Sequence, residues 1–100
     1  MPHHFPTLED MERSPVPVAC HATDYPAGST TGQHRHAFHH QLIHALHGVM
    51  VVVADAGQWI VPPTRGIWMP AGTVHQVRHI GDVQMRSLFV QRDAAPQLFD

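Results

Sequence analysis

The sequence predicts an all-β domain of short antiparallel strands closed into a barrel, and three observations carry that expectation. Apolar runs rich in β-branched residues recur, the densest being Val49, Val51, Val52 and Val53. Such residues fit a pleated, half-buried surface better than a helix. Turn-forming residues separate the runs about every 8 to 12 positions, the rhythm of a sandwich or barrel. No stretch joins a helical apolar stripe to caps. His36 to His47 can be drawn as a helix with His36, His40, His44 and His47 on one side, but Gly48 and the valines after it continue more naturally as a hairpin.

Taken in order, residues 1–14 mix prolines and acids without a period and read as a flexible arm, ahead of a barrel over 15–93. Val16 to Ala22 reads as extended, with Pro17 favouring a sheet edge or strand start. Pro26 to Gly32 is turn material. Strands are expected at Gln41–His47 up to Gly48, Val49–Ala54 up to Asp55-Ala56-Gly57, and Gln58–Val61 up to Pro62-Pro63. Ile67–Met69 ends at Pro70, His75–His79 at Gly81-Asp82, and the last strand runs from Val83 or Met85 to Val90. Residues 94–100 read as a tail or the start of a linker.

Composition narrows the function classes. Of 100 residues 43% are hydrophobic and 14% charged, which argues against disorder across the whole chain. Lysine is absent, the six arginines are scattered and the formal charge is -2, so no basic face is on offer for phosphates and no nucleic acid is expected to bind this segment. No apolar run nears the roughly 20 residues of a membrane span, and no signal-peptide pattern opens the chain, so a cytoplasmic location is expected. Cys20 is the one cysteine, which excludes an intrachain disulfide and reads as a buried structural thiol.

Chemistry concentrates in two segments. His34 and His36 alternate on one strand face, Gln41 can rejoin that face if the chain bends near Phe38, and His75 shares a face with Val77 and His79. If the sheet closes, His75 lies opposite the first pair. Imidazole nitrogens with one amide oxygen suit a divalent transition metal, zinc or nickel ahead of iron, copper or manganese. The expected ligands are His34, His36, Gln41 and His75, in a pocket that adds His79 and Trp68, while Trp59 is core or pocket wall. The blander reading is a ligand pocket without metal. His39, His40 and His44 read as exposed or sheet-surface residues, His47 as a strand end, and Met69 and Met85 as core. Leu42 and Leu46 face away from Gln41, which points to a covering segment or a homodimer.

These residues also carry a resemblance. Gly28, His34-Arg35-His36, Gln41 and Gly48 resemble the first motif of the cupin superfamily, with glutamine where that family usually has glutamate. Gly66, Pro70-Ala71-Gly72 and His75 resemble the second, shortened between glycine and proline, with His79 in place of the usual asparagine. Further similarity, through Trp59-Ile60-Val61-Pro62-Pro63, Ile67-Trp68-Met69-Pro70 and Met85-Arg86-Ser87-Leu88-Phe89-Val90, is to the N-terminal sensor domain of AraC-type transcriptional regulators. The resemblance implies a cupin barrel (a double-stranded β-helix, or jelly roll) that dimerises and responds to a small-molecule effector. In that family a helix-turn-helix half touches DNA, and the expectation is that this half is absent from the chain. The alternative is a small metal-dependent cupin enzyme of oxygenase or isomerase type. Gln41 weighs the expectation against catalysis, because it removes a negative ligand and a possible general base.

Overall fold

Two long strands organise the domain because glycines let each of them bend without losing its partner. The computed structural model describes residues 16–94, so all of the proposed arm and all but the first residue of the proposed tail lie outside the described residues. The strands are β1 (Val18–Tyr25), β2 (His39–Ala54), β3 (Gly57–Val61), β4 (Gly66–Met69) and β5 (His75–Gln91). β2 and β5 pair from Ala54 opposite His75 to His39 opposite Gln91. β1 adds to the C-terminal half of β5, β4 to the first part of β2, and β3 to the last part of β2.

Two of the expected strand ends are therefore interior positions. Gly48 lies within β2 at a φ of 89°, where the β2–β5 register shifts between Ala45 and His47 and again between His47 and Val49. This is a bulge, which kinks a strand and keeps its ladder. A Cβ on Gly48 would overlap the Asp82 carbonyl oxygen and sit 2.9 Å from Val83 Cα. Gly48 thus lets β2 pass close to the Gly81-Asp82 bend of β5, and His47 lies beside the bulge rather than at a strand end.

The expected closed barrel is corrected. Strand order is β1-β5-β2-β3, with β4 also on β2, and no pairing joins β1 to β3. The sheet is all-β and antiparallel but open. The reason lies in the segment that would have to close it. Residues 28–34 run beside the first half of β5 through isolated bridges, Thr30–Arg78 and His34–His75, instead of a continuous strand. Gly28 and Gly32, at φ of 80° and 74°, interrupt the extended backbone there.

One face of this sheet is the core. Ile43, Ala45, Met50, Val52, Val61, Met69, Val77, Val83 and Met85 form a single buried cluster drawn from β2 to β5. Each fully buried large aliphatic side chain stabilises the fold by about 1.5–3 kcal/mol. Along β5, His75, Val77 and His79 and then Val83, Met85, Ser87 and Phe89 are buried. On the other face Cys20, Leu88, Leu42 and Trp68 stand in register across four strands. Cys20 is accordingly an exposed free thiol, not the expected buried one. Leu46, at the bulge, is exposed.

Candidate metal centre

The bridge between residues 28–34 and β5 builds the site. The Gly28 amide donates to the His79 carbonyl at 2.9 Å and the Thr31 amide to the Val77 carbonyl at 3.0 Å. His34 and His75 then exchange both backbone hydrogen bonds, each 2.9 Å. Residues paired in this way project their side chains to the same side, and the two rings lie 4.4 Å apart. His36 follows at the next same-facing position. Its carbonyl accepts from the Gly72 amide at 2.9 Å, and its ring centroid is 5.0 Å from His34 and 5.8 Å from His75. One ring nitrogen from each of His34, His36 and His75 falls within 4.8 Å of the others.

Hydrogen bonding fixes what two of these nitrogens can do. His75 Nδ1 bonds the Thr73 carbonyl at 2.8 Å and His34 Nδ1 bonds the Gly32 carbonyl at 2.9 Å. A carbonyl only accepts, so each Nδ1 carries the proton and each Nε2 keeps a lone pair, the arrangement that orients a metal-binding histidine. His75 Nε2 is buried with no hydrogen-bond partner among the described residues. Leaving such a group unsatisfied costs about 1–3 kcal/mol, and a cation bound there removes that cost. Burial pushes the His75 pKa below its ordinary value, the Thr73 bond opposes this, and His34 and His36 lower it further. The cluster therefore fits a divalent transition metal.

Gln41 lies at the edge of this cluster. It stands opposite Phe89 in the ladder, and the Phe89 ring packs edge-on against His36 at 5.1 Å. Its Nε2 donates to Ser87 Oγ at 3.0 Å, while Oε1 is buried with no hydrogen-bond partner among the described residues. His79 and Trp68 sit elsewhere. His79 is four residues beyond His75, about 13 Å of strand. There its Nδ1 donates to the Ser29 carbonyl at 2.9 Å and its ring stacks on Tyr25 at 4.1 Å. Trp68 alternates with the buried Met69, so it occupies the opposite face, stacked on His40 at 5.2 Å.

Several neighbours were not singled out from the sequence. His39 is buried, unlike the surface residue expected, since it alternates with Gln41 on β2. Ser87 and Phe89 share that face, and period-two alternation from Met85 was the available signal. His40 accepts a 2.9 Å bond from the Ala71 amide and so steadies the turn that carries Gly72 and Thr73.

The expectation that leaned against an enzyme is corrected by this geometry. It counted the missing glutamate against catalysis, yet three imidazoles converge without one. Three protein ligands that leave coordination positions open are the arrangement of a catalytic rather than a structural metal site.

Comparison with known proteins places the fold. Residues 22–91 match the family model described as Cupin domain. The chain is 32% identical over 79 residues to the HTH-type transcriptional regulator NimR of Escherichia coli (strain K12), covering 79% of this chain and 28% of that protein. It thus spans little more than a quarter of that relative. Among solved structures it is similar to KdgF from Halomonas sp., with a TM-score of 0.70 and 20% identity over 77% of this chain and 73% of that chain. It is also similar to an oxalate oxidase in complex with the substrate analogue glycolate, with a TM-score of 0.68 and 19% identity over 76% of this chain and 43% of that one. At these identities the two structures speak for the fold alone. Matched by the family model over most of its length, the chain belongs to the cupin family.

Proposed function

We propose that this chain is a small metal-dependent cupin enzyme of the oxygenase or isomerase type. His34, His36 and His75 would hold the metal and the amide oxygen of Gln41 would complete the set. The observation that carries this reading is the convergence of three imidazole nitrogens within 4.8 Å. A bound divalent metal would supply a Lewis-acid centre for a substrate oxygen or for dioxygen. The protein's own part is orientation. The Gly32 and Thr73 carbonyls hold His34 and His75 with Nε2 free to ligate, and Ser87 holds the amide of Gln41. Elemental analysis of protein purified without nickel resin tests the reading. About one zinc or nickel per chain is expected, and protein free of transition metal that also fails to take up added zinc would refute it.

A second reading is favoured by the match to the regulator, in which this segment senses a small molecule for a longer protein. Aerobic turnover by the metal-loaded chain supports the enzyme. A ligand that raises the melting temperature without being consumed supports the sensor.

A further inference from the structure

The outer face of the sheet carries a groove of about 420 Å³ that the metal centre does not use. Its walls come from β1, β2 and β5, chiefly Cys20, Ala22, Leu42, His44, Arg86 and Leu88. These six form two neighbouring rows of the ladder, Cys20-Leu88-Leu42 and Ala22-Arg86-His44. They alternate along the strands with the buried Gln41, Ile43, Ser87 and Phe89. The groove therefore lies on the far side of the sheet from the histidine cluster.

The first row is small and apolar, and covering it would remove apolar surface from water. The second row brings charge. Arg86 is the one arginine of the lining, and among the described residues its acid partner is Asp24, at 3.4 Å, outside the lining.

Both rows begin beside the point where the chain enters the sheet. The Pro17 carbonyl accepts from the Gln91 amide at 2.8 Å, which pins the chain there, and Cys20 follows three residues later. Residues 1–15 thus join the sheet next to the groove. Reversing direction takes about four residues. The rest of the segment, at about 3.3 Å per residue, has far more reach than the roughly 10 Å from β1 across β5 to β2.

Charge and composition fit the same occupant. Residues 1–15 hold Glu9, Asp10 and Glu12 against Arg13. From residue 16 onward five arginines balance five aspartates, so the formal charge of -2 belongs to this segment. Phe5, Leu8 and Met11 set apolar side chains among those acids. A second copy fits less well, because a two-fold contact on this face would bring two arginine-bearing grooves together.

We infer that residues 1–15 fold back over the outer face of β1, β5 and β2 and fill this groove. Phe5, Leu8 and Met11 then lie against Leu42 and Leu88, and the acids reach Arg86. The inference is independent of the metal reading, since groove and histidines are on opposite faces.

Cys20, in the groove wall, reports the cover. Its thiol is labelled with an aromatic disulfide reagent in the metal-free 100-residue chain, and the rate is compared among variants. The folded chain should react at least tenfold more slowly than the same chain in denaturant. The triple variant Phe5→Ala, Leu8→Ala, Met11→Ala should react about tenfold faster than wild type. Glu9→Gln, Asp10→Asn, Glu12→Gln, which keeps every apolar side chain and so guards against misfolding, should react about threefold faster. Adding Arg86→Gln to that charge variant should give no further increase, the mark of a shared interaction. Equal rates in wild type and both triple variants would overturn the inference, as would a thiol that reacts as fast folded as unfolded. Protection that grows with protein concentration would overturn it too and assign the groove to a second copy.

Discussion

His75 and His79 lie on the same face of the same strand and use the same local device, yet only one belongs to a candidate centre. Each donates Nδ1 to a backbone carbonyl, Thr73 for His75 and Ser29 for His79, and each has a buried Nε2 with no partner among the described residues. Burial lowers the pKa of both. What differs is the opposing segment. Opposite His75 the chain presents His34 and then His36, whereas His79 meets the Tyr25 ring. A neutral, oriented imidazole is thus necessary for a metal site but not sufficient. The ligand set is made by what crosses the strand.

The largest test of that contrast is truncation at each end. His75→Ala should weaken zinc binding on the order of a thousandfold, since one of three imidazoles is lost, as read by competition with a chelator. His79→Ala should leave zinc affinity unchanged. If both variants lose zinc alike, the distinction between the two ends collapses.

Stability should show the reverse. His79→Ala removes the bond to Ser29 and the stack on Tyr25, and should cost about 2–3 kcal/mol in denaturant unfolding of the metal-free protein. A loss below about 0.5 kcal/mol, the range of ordinary surface substitutions, would mean the His79 end is not structural.

Ser87→Ala sharpens the comparison at its margin. It releases the Gln41 amide and should weaken zinc about tenfold, the scale of losing a group that orients a ligand, with little change in melting temperature. Unchanged zinc affinity would remove Gln41 from the proposed set.

The smallest effect is on pH. Both histidines have folded pKa values lowered from 6.5, so the unfolded chain takes up protons more readily. Stability of the metal-free protein is then complete above that value and falls as pH drops below it towards the folded pKa values. Melting temperature against pH should show the decline, and His79→Gln should make it shallower. A melting temperature that rises on acidification through this range would contradict the neutral assignment.

The pattern of the sequence reached the His34, His36 and His75 convergence because alternation and one cross-strand pairing are enough to place them. It did not reach the length of β2 and β5. Gly48 and Gly81 carry the same positive φ whether they end a strand or bend one, and only the partner strand decides. Closure failed for a related reason: Pro26 to Gly32 reads as a turn between strands, and its glycines instead break the segment that would have to close the sheet into isolated bridges. Trp68 and Cys20 were misplaced by face. Each sits one residue from a position that points inward, and a one-residue shift reverses every side chain.

The dominance of two long strands also constrains the order in which the chain can assemble. β3 can form a local hairpin with β2 through the Asp55–Ala56 turn, but β1 pairs only with β5 and β4 only with β2. The β2–β5 ladder joins residues from the Ala54–His75 end to the far more distant His39–Gln91 end. Zipping from the first pair outward closes the smallest loop first and meets the Gly48 bulge midway. The His75 end of the ladder would then be organised early, and β1 would add last. The metal centre would thus be framed before the sheet is finished, so added zinc should speed folding rather than only slow unfolding.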